Sequence, residues 1–153
     1  MKNLPEYLAT LAATLWVGGL WAVGYLAVPI LFYAQPDRQL AGMLAGQMFI
    51  ALGYVGMLCG GYLLLWRIRV TGKAVCPQFW SIAAMLLITL VLQFVIQPMM
   101  ADMKVQALPL DIMQSPLASS FKLWHGVSSA LYLLESLLGG YLMVIRGSRQ
   151  SPA

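Results

Sequence analysis

The sequence predicts an all-α integral membrane protein, a four-transmembrane-helix antiparallel bundle with both termini cytoplasmic, on three observations. Hydrophobic residues make up 61% of the chain and charged residues only 9%, whereas soluble proteins carry about 25% charged residues. Four runs, 8–32, 44–65, 79–99 and 124–145, reach the roughly 20 apolar residues that cross a bilayer. Basic residues also divide unequally between the two ends of such a bundle. Lys2, Arg67, Arg69, Lys73, Arg146 and Arg149 fall on one side, while Arg38, Lys104 and Lys122 share the other with Asp37, Asp102 and Asp111. The positive-inside bias places the first group, and both termini, in the cytoplasm.

Residues 1–153 are read as a single four-helix membrane domain. Spans this closely spaced, with no long soluble extension, fit a multi-pass protein of a bacterial inner membrane. The net charge of +4 anchors helix ends to lipid headgroups and calls for no nucleic acid partner. Cys59 lies within a span and Cys76 in a cytoplasmic turn, a separation that suits neither a disulfide nor a tight metal motif.

The first span has an apolar run longer than the roughly 7–15 residues of a signal peptide, so it is read as a retained helix. It mixes Gly18, Gly19 and Gly24 with Trp16, Trp21 and Tyr25. Small residues admit a neighbouring backbone, and the rings fill the space beside it. Pro29 removes a backbone donor and should disturb the last turns. The short turn Gln35-Pro36-Asp37-Arg38 makes the first two spans antiparallel neighbours.

In the second span, Gly42, Gly46, Gly53, Gly56 and Gly60 fall within about 80° of one another on a helical wheel. The stripe predicts close packing inside the bundle, with a homodimer seam as the lesser option. After a cytoplasmic turn over 71–77, the third span carries Gln93 and Gln97 one helical turn apart, followed by Pro98. Amides in lipid bond to partner helices, so these two mark an inward face. The connector over 101–116 contains Pro109 and Pro116 and alternates polar with apolar residues. It is expected to cap the outer side of the bundle.

The fourth span holds the candidate site. It contains the only histidine of the chain, His125, and an acid far inside an apolar run, Glu135. At about 100° per residue, His125, Ser128, Tyr132, Glu135, Ser136 and Gly139 share a face roughly 100° wide. Counting a rise of about 1.5 Å per residue puts His125 and Gln97 near the outer boundary, Ser128, Gln93, Gln47 and Tyr25 just below, and Glu135 near the midplane. These residues predict an outward-facing polar pocket lined by His125, Ser128, Tyr132, Gln93, Gln97 and Gln47 and closed below by Glu135. An ionised carboxyl at mid-bilayer costs about 2.5–3.5 kcal/mol, so Glu135 needs a proton or hydrogen-bond donors there.

Met99, Met100 and Met103 lie at the level of His125. Thioethers with an imidazole form a candidate Cu(I) set, while methionine packing in apolar gaps is the plainer reading. His125 also supplies one axial ligand for a b-type haem. No phosphate loop, carboxylate pair or nucleophile triad is visible, which leaves ordinary hydrolytic chemistry without support. The leading reading is a non-enzymatic membrane protein that binds or passes a small ligand or metal ion, or supports a larger membrane assembly. Lipid is the expected surroundings, with a homodimer or larger complex as partner.

Two stretches carry a resemblance. Thr14-Leu15-Trp16-Val17-Gly18-Gly19-Leu20-Trp21 with Pro29-Ile30-Leu31-Phe32, and Phe121-Lys122-Leu123-Trp124-His125-Gly126 with Ser128-Ser129, resemble the transmembrane protein 205-like family, whose bacterial members are four-span proteins of unknown function. A looser similarity extends to the four-helix copper-resistance D proteins and to the haem-containing bacterial protoporphyrinogen oxidase. The latter implies a redox subunit as the alternative function. That family carries a histidine on its first helix, and residues 8–32 contain no His, Lys or Arg.

Overall fold

The computed structural model describes residues 4–71, 76–108 and 110–147. Lys2, Arg149, Pro109 and the 72–75 part of the turn, with Lys73, lie outside the described residues. Four helices are long and apolar enough to cross a membrane: α1 (Leu4–Ala34), α2 (Arg38–Thr71), α3 (Pro77–Ala107) and α4 (Ala118–Gly147). Each extends past the apolar run that predicts it, because helix geometry continues where hydrocarbon would end.

The starts of these elements have local causes. At the head of α2, Asp37 Oδ1 accepts the amides of Gln39 at 2.9 Å and Leu40 at 3.1 Å, which satisfies orphan donors of the first turn. Pro77 opens α3, where its missing N–H costs nothing. In the connector, Asp111 accepts the Met113 amide at 2.7 Å and starts the short 3-10 turn Ile112–Gln114.

α1 and α3 share an irregularity. Each contains a π turn, Val23–Ala27 in α1 and Leu92–Ile96 in α3, and each turn is followed, one residue later, by a proline. The Val28 amide bonds the Val23 carbonyl and the Gln97 amide bonds the Leu92 carbonyl. In a regular helix those amides would serve Gly24 and Gln93 instead. Pro29 and Pro98 then have no N–H for Tyr25 and Phe94. Two successive carbonyls in each span thus lose their α-helical donors, and the disturbance expected at Pro29 takes this form.

Each helix packs on its chain neighbours, and α1 also meets α4, closing a ring. The main core runs through the half nearest the termini and includes Ala9, Ala13, Trp16, Leu20, Cys59, Leu63, Ile82, Met85 and Leu142. A second, small core of Ala107, Ile112 and Phe121, with Met100, Met103 and Leu117 against it, lies under the connector. Residues 101–107 of the expected connector are instead the last turns of α3, and the turn that follows covers the junction of α3 and α4.

The burial pattern repeats, which residue identities conceal. Ala13, Trp16 and Leu20 stand before the π turn of α1 as Ile82, Met85 and Thr89 stand before that of α3, and all six are buried. Likewise, buried Cys59, Gly60 and Leu63 in α2 keep the spacing of buried Glu135, Ser136 and Gly139 in α4. The two halves thus share burial spacings around their π turns.

Candidate functional site

Glu135 is 2% exposed and is the only acid among the described residues to be buried. The Thr89 hydroxyl of α3 lies 2.7 Å from Glu135 Oε1, and the Trp16 indole N–H of α1 is directed at the same carboxyl. One carboxyl therefore joins three helices. Trp16 reaches it because Gly56 and Gly60 leave room: a Cβ at Gly56 would stand 2.6 Å from the indole nitrogen, and one at Gly60 2.8 Å from the ring. The glycine stripe of α2 is thus filled from within its own bundle at Gly53, Gly56 and Gly60, as the packing expectation required.

One turn toward the cap, Tyr132 donates its hydroxyl to the Leu20 carbonyl at 2.6 Å. Its ring lies over Gly24 so closely that no Cβ fits there. Phe49 of α2 meets the same ring edge-on at 5.2 Å between centroids, and Tyr25 of α1 lies at 6.2 Å. Tyr132 is also within electrostatic reach of Glu135. The Gln93 amide, one turn above Thr89, presses on Gly53.

The Ser136 hydroxyl is buried without a hydrogen-bond partner among the described residues, and the Gln93 side chain is 8% exposed beside Gly53. Unsatisfied polar groups are costly in a membrane interior, so they indicate a place for water or ligand. Thr89, Trp16 and Ser136 complete the site although only the last shared the predicted polar face. The sequence signal for Thr89 was its place one turn before Gln93 on the same side of α3.

The remaining predicted residues do not join this cluster. Ser128 is half-buried and gives its hydroxyl to the His125 carbonyl at 2.8 Å. Gln97 is half-buried, and Gln47 is exposed, about 200° around α2 from buried Ala45. His125 is exposed too, stacked on Phe121 at 6.2 Å with the ring planes 7° apart. On a wheel it shares the direction of Ser136, yet no helix faces it. Residues Val28–Ala34 at the end of α1 contribute no buried residue and rest on α2, which leaves the first turns of α4 uncovered on that side.

The residues expected to hold copper or haem are not enclosed together among the described residues. Met100 and Met103 pack against the Phe121 cluster, and the Lys104 ammonium already sits 5.7 Å from the Phe121 centroid, so a copper ion beside His125 would meet an unfavourable charge. No group of three or more His, Cys, Asp or Glu placed to hold a metal occurs among the described residues. The exposed His125 supplies one axial ligand, and no second histidine is present in the sequence to complete the pair.

A family model described as "Domain of unknown function (DUF4149)" matches residues 11–108. These cover most of α1 and all of α2 and α3, while Glu135 and Tyr132 lie beyond them. No curated protein and no solved structure matches the chain.

Proposed function

We propose that this chain, which belongs to the DUF4149 family of unknown function, is a non-enzymatic membrane protein that takes a small ligand into the capped half of its bundle, above Glu135. The observation that carries this reading is the break between the two apolar cores. Between their buried members lies a mixed layer, Gly24, Phe49, Gln93 and Ile96, with Tyr132 on the edge of the first core, beside an orphan Ser136 hydroxyl. Close packing would have filled such a layer with aliphatic side chains.

Arg67, Arg69 and Arg146 at the opposite end support a cytoplasmic side there, which makes the capped side external. The close spacing of the spans fits a bacterial inner membrane, with the four helices acting as one unit. Thiol labelling tests the opening. With Cys59 replaced by Ala and Cys76 by Ser, Ser136→Cys should react with a membrane-impermeant maleimide added outside intact cells, and Leu142→Cys should not. An unreactive Ser136→Cys, in a protein shown to be inserted, would overturn the reading.

A further inference from the structure

We infer that α2 docks on the α2 of a second copy of this chain, parallel to it about a two-fold axis along the bilayer normal, on the line of Gln47, Ala51 and Tyr54. This surface lies apart from the site proposed above and does not depend on it.

α2 has two unlike sides. Measured from Gln47 at about 100° per residue, Ala51 falls near 40° and Tyr54 near 340°, while Gly53, Gly56 and Gly60 fall between about 180° and 240°. Gln93 and Trp16 fill the glycine side, so that side belongs to the bundle. The opposite side faces outward, and it is not purely apolar. Tyr54 stands at the middle of α2 (Arg38–Thr71) and is 54% exposed. Gln47, two turns nearer Arg38, is exposed as well. Two turns rise about 10.5 Å, less than the roughly 15 Å from the centre of the hydrocarbon to its edge.

A carboxamide and a phenol hydroxyl therefore face outward at depths where acyl chains offer neither donor nor acceptor. Amides inside spans bond across to another helix. Tyrosines that face lipid gather at the two interfaces, where the hydroxyl stays wet, and not at the centre. Both groups call for a partner helix, and their exposure puts that helix outside the chain. Ala51, between them, lets its backbone come close.

A second copy supplies the match at both depths. An amide carries donors and an acceptor, and a phenol hydroxyl donates and accepts, so each group is complementary to itself. A two-fold axis along the bilayer normal brings Gln47 to Gln47 and Tyr54 to Tyr54 at equal height. A helix of different sequence would need its own polar groups two turns apart at the same two heights. Exposed Leu44 and Leu58 continue the line, and the steps from Leu44 through Gln47, Ala51 and Tyr54 to Leu58 alternate three and four residues. That is the seam of a left-handed helix pair, in which one polar position fixes register and orientation.

Crosslinking in native membranes tests the seam. With Cys59 replaced by Ala and Cys76 by Ser, Ala51→Cys should be oxidised by copper phenanthroline to a species of twice the chain mass. Leu133→Cys, on the exposed side of α4 near its middle, should not. In liposomes at rising dilution, single-molecule photobleaching should show two-step spots, and Gln47→Leu should weaken the dimer about three- to thirtyfold, with helicity and thermal unfolding retained. No crosslink at Ala51→Cys, equal crosslinking at Leu133→Cys, or a dimer as tight in Gln47→Leu as in wild type overturns the inference. A crosslinked band of any mass other than twice the chain also overturns it, since the occupant is then a different protein.

Discussion

The Thr89 hydroxyl stands between two acceptors, 2.7 Å from Glu135 and 3.0 Å from the Met85 carbonyl of its own helix. With one proton it serves one of them, so the hydrogen bond between α3 and α4 has two forms, one for each protonation state of the acid. In the neutral form the acid donates to Thr89 and Thr89 donates to Met85.

Thr89→Val keeps the shape and removes both roles. Interhelical hydrogen bonds in membranes are worth about 0.6–2 kcal/mol, and the expected loss of unfolding free energy lies in that range. Thr89→Ser should recover most of it. Reversible unfolding in mixed micelles gives the measurement, and a Thr89→Val protein as stable as wild type would show that the contact contributes nothing.

Gly24 and Tyr132 form a test of steric coupling. Gly24→Ala forces the Tyr132 ring away and breaks its bond to the Leu20 carbonyl. Overpacking of this kind costs about 1–3 kcal/mol. Combining it with Tyr132→Ala should cost less than the sum of the two single changes, as measured in a double-mutant cycle.

The glycine stripe of α2 divides into filled and open positions. Gly56→Leu collides with Trp16, whereas a Cβ at Gly46 meets nothing within 4 Å. Gly56→Leu should therefore destabilise by about 1–3 kcal/mol or more, and Gly46→Leu by a few tenths at most. Thermal unfolding of the two variants side by side decides this. Equal sensitivity would point to a contact at Gly46 from outside the chain.

Exposure at His125 predicts a negative spectroscopic result. Protein expressed with ample haem precursor and purified in mild detergent should give the same visible absorption spectrum before and after His125→Ala. A Soret band lost in the variant would place a haem on that imidazole.

Hydropathy made all four spans legible, since crossing hydrocarbon demands length and apolarity together. The inward direction of Glu135 followed from α4 alone, because a helical wheel needs only one helix. His125 was misplaced for the opposite reason: whether a face is covered depends on the neighbour, and the end of α1 leans toward α2. The glycines of α2 announced a groove, but Trp16 as its occupant required the crossing geometry. Gln47 and Gln93 look alike in sequence, and only packing separates the exposed amide from the buried one.

The ring of four helices makes the molecule divisible. Its two hairpins meet where α2 packs on α3 and where α1 packs on α4, so each hairpin can dock on the other through both of its helices. Co-expressed as two polypeptides, 1–75 and 76–153, the halves should find each other in the bilayer and co-purify. Gly56→Leu in the first half alone should weaken their association.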